Sequence, residues 1–268
     1  MLKTNRVAAI ALRQFYLLRG SPVRIVPLFA WVTIDIVLWG FITRYLNTVA
    51  APGFNFVPAL LGAVLLWDFL GRAMMGVTTG FFEDVWSRNF LNIFASPLLI
   101  PEYVGGLVIS SMATSAFALA AMLALATTVF GLPFFAYGMP FAAALLILFV
   151  FGVALGVFGC ALVLWLGPAS EWLIWPIPAL ISPFACVFYP LASLPEWMRW
   201  VARMLPASWV FESMRRVVAG GAPERGAMML GGGLAVLDVV IAGWFFVRVY
   251  DYAVRSGLIA RYSAESVS

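Results

Sequence analysis

Residues 140–166 read PFAAALLILFVFGVALGVFGCALVLWL, a run without one charged side chain. A helix needs about 20 apolar residues to cross a hydrocarbon core of roughly 30 Å. A backbone placed in lipid must satisfy its own hydrogen bonds, and a helix does so within a single segment. The run is therefore read as a transmembrane helix. Gly152, Gly156 and Gly159 within it leave space for a second helix to approach closely.

Comparable apolar runs lie at about 25–46, 57–82, 103–130, 172–191 and 227–250. The chain of 268 residues is 64% hydrophobic and 10% charged, with a mean hydropathy of +1.01. Soluble domains carry about 25% charged residues, so too little charge is present to cover a water-facing surface. The sequence predicts an all-α, polytopic integral membrane protein. It is organised as a single transmembrane domain over residues 1–268, with six spans. The first apolar run is longer than a usual signal-peptide core and is expected to stay as a span.

Several chemistries are set aside on the same grounds. There is no histidine, which removes His-dependent acid–base catalysis and His-ligated metal sites. Cys160 and Cys186 both lie in apolar runs, where neither a disulfide nor a zinc site is expected. The phosphate-binding loop pattern and the G-x-S-x-G elbow are missing. The chain is thus expected to be no enzyme and to bind no cofactor itself. The net charge of +4 is dispersed, which fits lipid headgroups and not nucleic acid.

The connections carry the rest of the signal. Residues 3–22 place Val7, Ala11, Phe15 and Leu18 on one helical face, with Arg6 and Arg13 opposite, as in a helix lying in the membrane interface. Residues 192–226 predict two short amphipathic helices between spans five and six. The first has a stripe of Trp197, Trp200, Val201, Met204 and Leu205, expected to bury against lipid or the span bundle while Arg199 and Arg203 face water or headgroups. The second is capped by Ser208, carries Phe211, Met214 and Val218, and pairs Glu212 with Arg215 or Arg216. With both termini cytoplasmic, nine Lys and Arg side chains lie inside and six outside, Arg72 falling within a span. The flank of the first span sets this orientation.

The connection at 83–101 is the longest on the expected cytoplasmic side. Trp86, Phe90, Ile93 and Phe94 predict a helix over 85–94 with apolar anchors, started by Glu83 and Asp84 and carrying Arg88. Such a helix can dock in a groove of a soluble partner. Asp35, Asp68, Arg72 and Asp238 fall within spans, where charge is costly and often functional. Asp68 and Arg72 are spaced to pair along one helix. Pro176, Pro178 and Pro183 interrupt the fifth run, as at many transport pathways.

The layout resembles the permeases of type-2 ATP-binding-cassette exporters. The carrying features are the interfacial helix before six spans and the acidic start and Ser96-Pro97 end of the 83–101 connection. Most specific are Tyr189-Pro190-Leu191-Ala192-Ser193-Leu194-Pro195-Glu196-Trp197, Leu205-Pro206-Ala207-Ser208 and Phe211-Glu212-Ser213-Met214-Arg215. Ser87-Arg88-Asn89 departs from that family's pattern. The resemblance implies an exporter permease in a bacterial inner membrane, paired with a second copy. It also implies a cytoplasmic ATPase subunit that binds ATP and Mg and contacts Glu83, Asp84, Trp86, Arg88, Phe90, Ile93 and Phe94. The expected substrate is amphipathic (a drug, lipid or glycolipid-like molecule). A proton-coupled secondary carrier using the intramembrane acids, and a membrane assembly subunit without transport, are the alternatives.

Overall fold

The computed structural model describes residues 3–49, 56–87, 89, 92–93 and 96–258. Arg88, Phe90, Phe94, the Pro52-Gly53 turn and Arg261 lie outside the described residues. The regular structure of the described residues is helical: α1 (Thr4–Arg19), α2 (Pro22–Val49), α3 (Gly62–Trp86), α4 (Ile100–Phe130), α5 (Gly138–Leu166), α6 (Ile177–Ile181), α7 (Glu196–Met204), α8 (Pro206–Val218) and α9 (Arg225–Arg255). A π-helical turn at Val57–Leu61 leads into α3. Among the described residues, five helices are long and apolar enough to cross a membrane: α2, α3, α4, α5 and α9.

The apolar run at 172–191 is not a sixth long helix. It is a 3-10 segment at Pro168–Leu173, the short α6, and turns leading to a second 3-10 segment at Leu191–Ser193. Pro176, Pro178 and Pro183 each lack the N–H that would continue the helical ladder. The stretch nevertheless connects the two ends of the bundle. Ile174 packs in a buried cluster with Ile10, Tyr103, Val163 and Phe246, and Val187 packs in the other cluster with Leu61, Phe130 and Phe141. The last turns of α9, with Val249 and Ala253, share the Ile10 cluster, so α1 and the end of α9 lie at the same end of the bundle.

Inside the bundle α3 and α5 are the central pair. Over the most apolar stretch of each, 56% is buried, against 20% for α2 and 22% for α9. The glycines of α5 make that centre possible. A Cβ at Gly152 would sit 2.6 Å from the Leu70 carbonyl oxygen, and one at Gly156 would sit 2.8 Å from that of Met74. A Cβ at Gly159 would meet Ile174 Cδ1 at 2.8 Å. Backbone-to-backbone packing of this kind is what holds helices together where lipid is as apolar as the side chains. At the end of α4, Gly131 adopts φ +72° and the Leu132 N–H reaches back to the Ala126 carbonyl at 3.1 Å. That is a left-handed helix stop, sealed by the buried Leu132.

The helices between 192 and 226 form, with one correction, at Ser208. The stripe of Trp197, Trp200, Val201 and Met204 shares a face of α7 that points out of the bundle, Trp197 being 64% exposed and Met204 68%, so of the two expected surroundings it does not meet the span bundle. Ala202 is the buried residue of α7, and the Arg199 Nε donates to the Leu194 carbonyl at 2.8 Å. Arg203 stays exposed and lies over the Trp200 ring. Ser208 does not cap α8. Pro206 opens that helix, and the Ser208 hydroxyl donates back to the Leu205 and Ala202 carbonyls. The α8 stripe buries as spaced, with Phe211 and Met214 in the core, and Glu212 pairs with Arg215 at 2.8 Å. Arg216 turns instead to Glu224.

The central pair gives a direct test. A Cβ added at Gly71, on α3, would meet nothing within 4 Å, whereas one at Gly156 meets backbone. Gly71→Ala should leave the detergent melting temperature unchanged or raise it, by up to about 1 kcal/mol of helix propensity. Gly156→Ala should lower stability by about 1–3 kcal/mol through overpacking. Equal melting of the two variants would mean that α3 and α5 do not meet at Gly156.

Candidate functional site

The α1 end of the bundle gathers buried acids. Asp84 and Glu102 are fully buried, and Glu83 lies beside them. Asp84 accepts from the Arg13 guanidinium and from the Tyr103 hydroxyl, the latter at 2.7 Å. Glu102 accepts the Leu99 N–H at 3.0 Å, the Lys3 N–H at 2.8 Å and Arg6 Nη1 at 3.2 Å. Glu83 pairs with Arg24 at 3.4 Å, at the start of α2. Burial works against the Arg13 charge, but the hydrogen bond and field of Asp84 outweigh it and raise its pKa above the ordinary value.

This arrangement corrects two expectations. The arginines of α1 do not face away from its packed side. Ile10 and Gln14 are the buried residues of α1, Gln14 donating to the Gly80 carbonyl at 3.3 Å, while Phe15 is exposed. The basic face of α1 is thus the docking face. Glu83, Asp84 and Trp86 do not start a separate helix either, since they form the last turn of α3. Acids there oppose the helix dipole, and Arg13 and Arg24 supply the compensating charge.

Between α3 and α4 the chain runs from Ser87 to Leu99. The Ile93 N–H bonds to the Asn89 carbonyl at 3.0 Å, a helical contact. Asn92, Ser96, Pro97 and Leu99 are exposed, whereas Ile93 is half-buried against the core. Ile93 therefore serves the bundle, and Trp86 ties back to it by donating from Nε1 to Glu171 at 2.7 Å while its side chain stays exposed.

Beside this cluster lies a cavity of about 630 Å³. Trp31 of α2, Arg72 and Met75 of α3, Ser110, Thr114 and Ser115 of α4, and Trp175 contribute to its wall. Arg24, Glu83 and Trp86 lie toward the α1 end. The Ser115 hydroxyl is buried without a hydrogen-bond partner. Among the described residues Arg72 enters neither an ion pair nor a hydrogen bond.

The intramembrane charges divide accordingly. Asp35, Asp68 and Arg72 come within electrostatic range of one another. The expected Asp68–Arg72 pair does not close, and Asp68 Oδ2 is buried without a partner. Asp238, half-buried on α9, stands apart from them. At the opposite end Arg215 holds the exit of the interrupted stretch, donating to the Cys186 and Tyr189 carbonyls at 2.7 and 2.9 Å. Glu212 accepts the Leu191 N–H at 3.2 Å.

Sequence reasoning missed Arg24, Tyr103, Glu102 as a hub, Ser115 and Glu171. One signal was available for the hub: acids flank both sides of one connection, and Arg6 and Arg13 sit seven residues apart on one face of α1.

If the ionic contacts hold α1, Asp84→Ala should cost about 3–5 kcal/mol in detergent melting, because Arg13 is stranded. Adding Arg13→Met should recover part of that loss. Simple additivity of the two changes would show that the pair does not couple the helices. Compared with protein-family models and with curated protein sequences, the chain matches none, so any functional assignment rests on the geometry of this end.

Proposed function

We propose that the chain is the membrane-spanning permease of an ATP-driven exporter, and that the connection 87–99 receives a separate cytoplasmic ATPase subunit. The observation carrying this reading is that both helices flanking the connection are tied to α1 through buried acids, Asp84 on α3 and Glu102 on α4. A push on the connection would move α1, α3 and α4 as one body. That is how a docking loop can bias two arrangements of a bundle. Its exposed residues, Asn92, Ser96 and Pro97, are free to meet a partner.

In this reading the α1 end faces the cytoplasm, in line with the basic flank of the first span. The interrupted stretch from Pro168 to Tyr189 counts as a sixth crossing, α7 and α8 lie on the outer side, and both termini are cytoplasmic. The exposed face of α7, with Trp197, Trp200 and Met204, suits lipid. The exposed stripe Ile34, Leu38, Phe41 and Tyr45 on α2 offers a face for lipid or a second copy. ATP and Mg belong to the partner subunit, the setting is a bacterial inner membrane, and the substrate is amphipathic. A proton-coupled carrier is the second reading, favoured by the unpartnered Asp68 Oδ2.

Because Ile93 packs on the core, the test uses Phe90→Ala with Phe94→Ala. Anchors of a docking helix cost about 2 kcal/mol or more each when truncated. The double variant should melt like the parent yet lose the co-purifying ATPase subunit. Retention of a fully active ATPase by a well-folded double variant would contradict the docking assignment and favour the carrier. Orientation is tested separately. A cysteine replacing Thr4 should label from the cytoplasmic side and one replacing Ala222 from the outside; the reverse pattern overturns the topology.

A further inference from the structure

We propose that the cavity between α2, α3 and α4 is a ligand site for an anionic amphiphile, whose acidic group meets Arg72 and Ser115 and whose apolar body lies against Trp31 and Trp175. This names the substrate class for the transport reading and rests on it for the word substrate; the binding itself does not.

Arg72 is one cation of the cavity wall. It lies well inside α3, about 21 Å along the helix from Trp86 at 1.5 Å per residue. A cation at such depth is costly unless something compensates it. Its neighbours do not complete the compensation, since no ion pair closes on it among the described residues. Asp35 and Asp68 lie within electrostatic range, but neither lines the cavity. The other charges of the wall, Arg24 and Glu83, are engaged with each other at 3.4 Å. Of the charged side chains on the wall itself, Arg72 is therefore the one without an ionic partner among the described residues.

A second observation points to a ligand independently. Ser115 is 1% exposed, lines the same cavity, and its hydroxyl has no hydrogen-bond partner. A hydroxyl buried without a partner is unfavourable, and turning it to an acidic oxygen held in the cavity would relieve that. The remaining wall fixes the other half of the ligand. Indole rings at Trp31 and Trp175 and the Met75 thioether give a mainly apolar lining. A cavity of about 630 Å³ is of a size that takes a small amphiphile. The shared chemistry is one acidic group on an apolar body, supplied either by a free amphiphile or by an anionic lipid of the bilayer.

The experiment uses the full chain in phosphatidylcholine nanodiscs, without an ATPase subunit. Dodecyl phosphate and dodecyltrimethylammonium are titrated; they share an alkyl chain and differ in the sign of the head. Dodecyl phosphate should bind saturably and at least about tenfold more tightly, as expected when a buried charge gains its partner. Arg72→Gln should abolish the preference, Arg72→Lys should keep most of it, and Ser115→Ala should weaken dodecyl phosphate alone. If Arg72→Gln does not fold, Arg72→Lys and Ser115→Ala decide. Equal binding of the two heads, or a preference untouched by Arg72→Gln or by Ser115→Ala, overturns the proposal. Repeating the titration with phosphatidylglycerol in the disc separates the sources, both of which uphold the acidic-group chemistry. Competition identifies bilayer lipid as an occupant, and its absence identifies the free amphiphile. Failure here leaves the ATPase-docking result standing, and failure of docking leaves this binding standing.

Discussion

The ionic contacts between α1 and the acids at Asp84 and Glu102 organise one end of the protein. Both carboxylates are covered by protein, so each needs its charge answered locally. The answer comes from Arg13, Arg6 and the Lys3 N–H, all on or just before α1. A helix that would otherwise float at the interface is thereby fixed to the last turn of α3 and the first turn of α4. The same contacts define the α1-side boundary of the cavity, because Gln14 and Leu18 of α1 contribute to its wall.

The far end solves a different problem. Prolines break the stretch between α5 and α7, leaving carbonyls that no helix serves. Backbone groups left open away from water are tolerated where protein satisfies them. Here Arg215 does so for Cys186 and Tyr189, and the Tyr189 hydroxyl does so for the Pro183 carbonyl at 2.5 Å. Cys186 adopts φ +56°, a left-handed conformation unusual for a side chain with a Cβ, and sits fully buried. The two ends are thus built by opposite means. One clamps a helix with buried charge, and the other clamps an irregular segment with one arginine.

Much of the architecture is legible in the chain because hydropathy is a local property. The charge-free run at 140–166 and its three glycines predict both a long helix and close packing, and α5 packs on α3 through two of those glycines. The stripe Phe211, Met214 and Val218 likewise predicts the packed face of α8. The run at 172–191 reads as one span because its composition is apolar; three prolines outweigh composition where N–H donors are needed. The site is harder to read. A helical wheel shows that Arg6 and Arg13 share a face, but not that buried acids await them, because Glu102 is almost a hundred residues away in sequence. The pairing of Asp68 with Arg72 follows from spacing alone, and spacing does not fix where a long guanidinium side chain is drawn.

At the α1 end lie a loop exposed at Asn92, Ser96 and Pro97, a charge-clamped helix, and the near end of a cavity whose wall extends to Arg72. The central claim is that a cytoplasmic ATPase seats on that loop. A photo-reactive residue placed at position 92 in the native membrane tests it most directly. The account predicts a cross-linked product containing an ATP-hydrolysing subunit. Cross-links confined to lipid, or to proteins without ATPase activity, would contradict it.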